Sequence, residues 1–285
     1  MTNQNVFETI SSQYFQLTNS EKKVADYVLG HRIDAQYMSI SELAEECDVA
    51  DATISRFCRR LGIGGYNAFK LELAKASMAS RTEVPQEKVG ENGNNRHGEI
   101  CRKLIGDNVS ALEQTAKLLD YDKIRQAQDL MEKAGRVICM GQGSSMVIAQ
   151  EAWTMFSTIS PKYIFVPDSH LQMNTVALMD QQDVILFFSY SGSTRDLQDI
   201  LEVARGRGVK VILVSRFPKS PCGQMADVVL QCGANESPLQ AGSAMARIAQ
   251  LFVLEVLFQY LYDSNAQQAE ACRERIAEAI SRKHL

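Results

Sequence analysis

The 285-residue sequence lacks several features that would place it in a special class of protein. It has no CxxC pair among its seven cysteines, and an odd number of unpaired thiols is typical of a reducing compartment. It has no run of about 18 apolar residues, so we expect no membrane span and no membrane partner. Its first residues lack the basic flank and apolar block of a secretory signal. The chain is therefore predicted to be cytoplasmic.

The composition excludes further classes of chain. The formal net charge is −4, with 45% hydrophobic and 22% charged residues, which is ordinary for a folded globular protein. A disordered chain, a collagen-like chain and a small disulfide scaffold are excluded. Because the seven cysteines and four histidines show no paired ligand spacing, we predict neither a metal site nor a cofactor.

The chain is predicted to contain two domains joined by a linker. Residues 1–78 are predicted to be all helical, because apolar residues recur there at helical spacing. Residues 79–98 are polar and contain glycine and proline without apolar periodicity, which predicts a linker. Residues 99–285 alternate helical segments with short apolar runs, the pattern of a doubly wound α/β sheet with a core at about 121–262. The runs lie at 136–140, 162–166, 183–189, 210–215 and 227–232.

Residues 39–61 predict a helix-turn-helix. Two short amphipathic segments, with Ser39 and Asp51 as the expected N-caps, are joined tightly enough for the second helix to enter a major groove. Residues 52–75 carry five basic side chains against one acidic side chain, which concentrates positive charge on this segment. The alternative is a helical hairpin whose arginine face contacts another protein. The candidate DNA-contacting residues are Thr53, Ser55, Arg56, Arg59, Arg60 and Lys70.

This segment resembles the DNA-binding segment of the RpiR family of bacterial transcription factors. The family pattern appears here as Arg-Phe-Cys-Arg-Arg-Leu-Gly at 56–62, then Gly65 and Tyr66, then Phe69 and Lys70. The resemblance implies binding to operator DNA. We expect phosphate contacts mainly from Arg56, Arg59 and Lys70, and base-edge contacts mainly from Thr53, Ser55 and Arg60.

Two loops rich in glycine and serine, at 141–145 and 189–194, follow predicted strands and precede predicted helices. Glycine lets a ligand approach the backbone, hydroxyls donate to phosphate oxygens, and a helix N-terminus supplies unpaired N–H groups. Either loop alone is more simply a tight turn with capping serines, but the two together favour a phosphate site. A dinucleotide site and a Walker P-loop are not expected, because the third glycine of GxGxxG and the Walker lysine are absent.

Residues 121–262 are similar to the sugar isomerase (SIS) domain, whose most recognisable motif is the Ser-Tyr-Ser-Gly-Ser-Thr at 189–194. SIS domains are five-stranded, flavodoxin-like α/β modules that bind phosphosugars and usually dimerise. The resemblance places Ser189, Ser191, Ser193 and Thr194 at the phosphate, and Ser144 and Ser145 at the sugar. The remaining residues expected at the effector site are Gly141, Gly143, Gly192 and Glu236. For Glu236, binding of a sugar hydroxyl is preferred over a catalytic role.

The combination matches the RpiR architecture and predicts a transcriptional regulator of carbohydrate metabolism, not an enzyme, with no catalytic residue. The expected partners are double-stranded operator DNA, a phosphorylated sugar or amino sugar, and further copies of the chain in a homodimer or homotetramer. One alternative is a phosphosugar-binding partner of another enzyme. The other is a phosphosugar isomerase or lyase, for which the acid–base candidates are Glu236, Asp168, His170 and Glu151.

Overall fold

The structure is a computed structural model that describes residues 5–82, 93–234 and 243–281. They form two compact units, and the C-terminal unit begins at Gly106. The N-terminal unit is all helical in its described part, as predicted. Its helices are α1 Val6–Gln13, α2 Asn19–Gly30, α3 Ile40–Glu46, α4 Asp51–Arg60 and α5 Tyr66–Thr82, with 3₁₀ turns at Tyr14–Gln16 and Asp34–Tyr37.

The helical unit has one apolar core to which all five helices contribute. Its buried residues include Ile10, Val24, Leu43, Phe57 and Phe69, each completely inaccessible to solvent. Local capping fixes where two of these helices begin: in α2 and α3, Thr18 with Glu21 and Ser39 with Glu42 form reciprocal capping boxes. Both boxes are visible in the sequence, since they depend only on residues three positions apart.

The predicted linker is helical at both ends. Helix α5 continues to Thr82, and the next helix, α6, spans Gly93–Leu118. Residues 83–92 lie outside the described residues. The two ends of the predicted linker are therefore helical, because a polar segment without an apolar stripe can still extend a neighbouring helix. The limits of the two domains stay predictions.

The C-terminal unit is built on five parallel strands in the order β2-β1-β3-β4-β5, which is the flavodoxin-like order. Every strand overlaps one of the predicted apolar runs. The strands are β1 Arg136–Gly141, β2 Tyr163–Phe165, β3 Asp183–Phe188, β4 Lys210–Ser215 and β5 Val228–Gln231. The helices are α7 Tyr121–Lys133, α8 Ser144–Phe156, α9 Ser169–Ala177, α10 Arg195–Arg207, α11 Ala244–Ser264 and α12 Ala266–Ser281.

Helices cover both faces of the sheet, which explains why its strands are apolar at consecutive positions. Along β1, Val137 and Cys139 enter a core with residues of α7, α8 and α11, whereas Ile138 and Met140 enter a second core with residues of α9 and α10. Helix α11 is long and apolar enough, by length and composition, to cross a membrane. Its Val253, Leu254 and Leu257 are buried in the first core, so packing on the sheet accounts for this apolar character.

Candidate DNA-binding and effector sites

The turn between α3 and α4 is short and internally bonded. Asp48 has a positive φ of 49°, a conformation that aspartate tolerates better than most residues, and the Val49 amide donates to the Ala44 carbonyl at 2.9 Å. The Asp48 carboxylate also pairs with Lys23 of α2 at 2.8 Å. These contacts fix the direction in which α4 leaves the turn, and this is the geometry of a helix-turn-helix.

The predicted N-cap of α4 is wrong by one position. Ala50 occupies the N-cap, and Asp51 is the first helical residue. The Asp51 carboxylate accepts a hydrogen bond from the Ser41 hydroxyl of α3 at 2.8 Å. Asp51 therefore joins the starts of the two helices, and its negative charge still lies where a helix N-terminus favours it.

The solvent-facing side of α4 carries three arginines, and the third of them, Arg60, is 43% exposed although it forms an ion pair. Arg56 and Arg59 are exposed, Ser55 beside them is partly exposed, and the Arg59 guanidinium donates to the Ser55 carbonyl at 3.3 Å. Lys70 on α5 is partly buried. The expected exposure of Thr53 is wrong, because its relative accessibility is only 7%.

Arg60 forms an internal ion pair. Its Nε lies 3.0 Å from Oε1 of Glu21 on α2, and its guanidinium also donates to the Gln16 carbonyl at 3.3 Å. The Glu21 side chain is only 6% exposed. Its burial raises the pKa, but hydrogen bonds from Thr18 and Arg60 outweigh burial and hold the pKa of Glu21 below its ordinary value. Arg60 thus joins the end of the recognition helix to α2.

The two loops rich in glycine and serine, at 141–145 and 189–194, are called the first and second effector loops after their expected ligand. The first leaves β1 at Gly141. A Cβ at this position would lie 2.7 Å from the Ser145 carbonyl oxygen, so only glycine lets α8 start this close to the strand. Gly143, with a φ of 56°, is the N-cap of α8 and, being glycine, has no side chain that could cap the helix. Ser144 is partly exposed and Ser145 is buried. In this first turn the Ser145 and Met146 amides donate to the Gln142 and Gly143 carbonyls at 3.1 and 3.2 Å. What the start of α8 offers an anion is therefore mainly the positive end of the helix dipole.

The second effector loop follows β3 and presents three hydroxyls. Ser191, Ser193 and Thr194 are exposed, whereas Ser189 is buried and accepts a hydrogen bond from the Gly192 amide at 3.2 Å. Thr194 is the N-cap of α10, and its side chain makes no capping hydrogen bond in the described part of the chain. The exposed hydroxyls thus lie beside a second helix N-terminus.

The two loops leave the sheet side by side. Strands β1 and β3 are hydrogen-bonded neighbours, and Gly141 pairs in register with Phe188 at their carboxyl ends. Ligands of open parallel sheets bind at this edge. Glu236 lies outside the described residues, so the structure does not place it. Of the acid–base candidates, Asp168 caps α9 by accepting from the Leu171 amide at 3.0 Å. His170 and Glu151 are exposed on α9 and α8.

A third loop, which follows β4, supports the second effector loop and was not predicted from the sequence. The Ser215 hydroxyl, at the end of β4, donates to the Tyr190 carbonyl at 3.1 Å, and the Cys222 amide donates to the Gly192 carbonyl at 3.1 Å. Ser220 packs against Gly192 from the same side. The signal was a serine and proline cluster directly after the fourth apolar run.

Sequence reasoning also missed Gln172 on α9, which supports the first loop. This side chain is fully buried, and its amide nitrogen donates to the carbonyls of Gly141 at 3.1 Å and Val166 at 2.8 Å. The Gln172 amide thereby holds the end of β1 against the segment that follows β2. No periodic or spacing signal distinguishes a glutamine with this role from a surface glutamine.

The fold and these two sites define a DNA-binding regulator with a ligand-binding α/β domain. The chain matches the family models of the helix-turn-helix domain, rpiR family, over residues 4–80 and of the SIS domain over residues 130–260. An HTH-type transcriptional regulator of Haemophilus influenzae is 30% identical over 99% of this chain and 98% of its own length. The chain belongs to the RpiR family of HTH-type transcriptional regulators.

Other known proteins are similar over most of the chain. The HTH-type transcriptional regulator YbbH of Bacillus subtilis is 29% identical over 87% of each chain. The Vibrio vulnificus NanR protein, in a structure complexed with ManNAc-6P, has a TM-score of 0.85 and 25% identity, and the match covers 98% of this chain and 99% of that chain. The sugar isomerase domain of an RpiR transcription factor from Sphaerobacter thermophilus shares the fold, with a TM-score of 0.58 and 19% identity over 63% of this chain and 99% of that chain.

Proposed function

We propose that this regulator binds operator DNA through α4 and that a phosphorylated sugar or amino sugar, bound at the loops after β1 and β3, alters that binding. The observation that carries the proposal is the pair of loops that end adjacent strands, each followed by a helix N-terminus. Two helix N-termini, one of them beside three exposed hydroxyls, suit a phosphate ester. The ManNAc-6P in the similar NanR structure is a ligand of this chemical class.

In this proposal the three exposed hydroxyls of the second loop bind the phosphate. Ser191 and Thr194 can each donate a hydrogen bond to a phosphate oxygen, and Ser193 can do so once its hydroxyl turns away from the Ser191 carbonyl, to which it donates at 3.0 Å. Ser189 and Gly192 shape the turn that presents these hydroxyls. The first loop, with Gly141 and Gly143 allowing close approach, would place Ser144 and Ser145 beside the sugar. Glu236 is proposed to bind a sugar hydroxyl.

For DNA we propose a division of roles along α4. Arg56 and Arg59 contact phosphates, with support from Lys70, and Ser55 on the same exposed side reaches a base edge. Thr53 is buried and Arg60 is paired with Glu21, so we propose that both position the helix rather than read a base.

We further propose that the regulator acts in the cytoplasm as a homodimer or homotetramer, because two helix-turn-helix units are needed for a two-fold operator. The seven cysteines, all within the described residues, are free thiols, which agrees with a reducing compartment. Effector occupancy is expected to change operator affinity by roughly 5–150-fold, the range typical of allosteric coupling.

Paired variants test the two sites separately by fluorescence anisotropy with operator DNA. The double variant Arg56→Ala, Arg59→Ala should weaken operator binding and reduce its salt slope by about two, one for each lost phosphate contact. Lys75→Ala is the matched control, since it removes an exposed charge of α5 that pairs with Glu72. Unchanged operator affinity in the folded double variant would contradict the proposed DNA-binding face.

The effector loop is tested with Ser191→Ala, Ser193→Ala in the same assay. This variant should bind operator normally in the absence of phosphosugar but lose most of the response to it. The control is Thr154→Ala, because Thr154 is exposed on α8 and its hydroxyl bonds only locally, to the Gln150 carbonyl at 3.0 Å. A full phosphosugar response in the loop variant would contradict the proposed effector site.

A further inference from the structure

A cleft of about 380 Å³ lies at the amino-terminal edge of the sheet, at the opposite ends of the strands from the effector loops. It is bordered by the end of α7, by the residues before β2 and by the junction of α11 with α12. Polar groups surround it, and the ring of Tyr163 belongs to its apolar wall. This volume is at the small end of the range for ligand pockets, so the cleft suits a small metabolite.

The cleft contains an ammonium group that has no carboxylate partner. Lys162 donates to the carbonyls of Met131 at 2.6 Å and Glu132 at 3.0 Å, which belong to the last turn of α7. It takes part in none of the ion pairs formed by the described residues. An ammonium group has three donor hydrogens, so one remains for another acceptor. Partial burial lowers the pKa of Lys162, although the charge of Glu132 opposes this shift.

The cleft also contains a carboxylate that has no ammonium partner within ion-pair distance. Glu132 accepts from the Gln128 amide at 2.9 Å, and hydrogen bonds from Ser264 and Gln128 hold its pKa below the ordinary value despite partial burial. The group is therefore ionised at neutral pH. The cleft thus presents one positive and one negative charge that do not neutralise each other directly.

We propose that this cleft is a second ligand site, for a small zwitterion of the amino-acid class. The carboxylate of such a ligand would accept from Lys162, and its ammonium group would donate to Glu132. Ser160 and Gln268, which also line the cleft, would bond the polar remainder. A phosphosugar fits less well, because its dianion would bring two negative charges towards Glu132. A zwitterion neutralises both protein charges without adding net charge.

Helix α8 connects the first effector loop to the segment that borders the cleft. Helix α8 begins at Ser144 in that loop, and the segment after its end contributes Ile159 and Ser160 to the cleft. Occupancy of the cleft is therefore expected to change phosphosugar affinity, and by linkage the phosphosugar would change the affinity of the cleft by the same factor.

The test is a thermal-shift and calorimetric screen of the full-length protein against the protein amino acids. At least one should raise Tm, and Glu132→Gln and Lys162→Met should each weaken its binding about tenfold or more, as expected when a charge-assisted contact is lost. Asp129→Asn is the matched control, because Asp129 is exposed on the same helix. Phosphosugar binding should persist in Glu132→Gln, so failure of the cleft and failure of the effector loops are distinguishable.

A third variant makes the test independent of Lys162→Met, which removes two hydrogen bonds to the last turn of α7. Gln268→Trp narrows the cleft from its exposed rim while leaving both charges in place, and it should also abolish amino-acid binding. The proposal is overturned if no amino acid raises Tm, or if simple carboxylates such as acetate and succinate act as strongly as amino acids. It is also overturned if the three variants change only the association state, since the cleft would then be an interface between copies of the chain.

Discussion

Replacement of Gly192 by alanine tests how the second effector loop is held in place. Gly192 has a φ of 56°, which costs an alanine roughly 1–2 kcal/mol. Its Cβ would also collide with the Ser220 hydroxyl and lie 3.1 Å from the Ser215 hydroxyl oxygen. Moving Ser220 would break its hydrogen bond from the Gly223 amide at 3.1 Å, and overpacking of this kind typically costs about 1–3 kcal/mol. We therefore expect a loss of about 2–5 kcal/mol in unfolding free energy.

The assay is urea unfolding followed by tryptophan fluorescence. The one tryptophan of the chain, Trp153, lies on α8, so its emission reports the unit that contains the sheet. Gly206→Ala is the matched control: it lies on α10, and a Cβ there meets no described atom within 4 Å. The control should leave this unit unchanged or stabilise it by less than the roughly 0.5–1 kcal/mol typical of a helix interior, because Gly206 lies in the last turn of α10. A Gly192→Ala midpoint equal to that of wild type would refute the reasoning about the serine contacts.

Two further predictions concern the helical unit and the thiols. Glu21→Gln should cost about 1–3 kcal/mol at neutral pH by breaking the pair with Arg60. The stability that the lowered pKa of Glu21 provides is present above the unfolded-state pKa and is lost as pH falls through the folded-state pKa, which lies below the ordinary glutamate value. The difference in unfolding free energy between variant and wild type should therefore shrink as the solution is acidified through this range. A thiol reagent should modify Cys101 rapidly in the native protein, because Cys101 is exposed, whereas burial raises the pKa of both Cys58 and Cys139 to about 12. Cys101→Ser should remove the fast phase, and a second fast thiol would contradict the burial pattern.

The elements that were predictable from the sequence are those whose signals are local. The five apolar runs became the five strands because both faces of the sheet are covered, which leaves no alternation to obscure them. The capping box of Ser39 and Glu42 depends on two residues three positions apart. Gly141 was expected in a loop that lets a ligand approach, and it ends β1, where a side chain would collide with the start of α8.

The features that were not predictable depend on contacts between distant residues. Arg60 and Glu21 are 39 positions apart, and no periodicity shows that this arginine of α4 reaches a carboxylate of α2. The burial of Thr53 depends on how α4 packs against the other helices of its unit. The spacing of apolar residues along α4 does not show this packing. The support that Ser215 and Gln172 give to the effector loops arises only when the sheet is assembled.

The central claim is that phosphosugar binding at the effector loops alters operator binding by α4. Fluorescence anisotropy of the wild-type protein with DNA from upstream of its own gene and the adjacent operon tests it directly. The measurement is made at two salt concentrations, with and without a pool of sugar phosphates. The account predicts tight, salt-dependent binding that the pool shifts by roughly 5–150-fold. Absence of specific binding under every condition, together with turnover of a sugar phosphate, would contradict it.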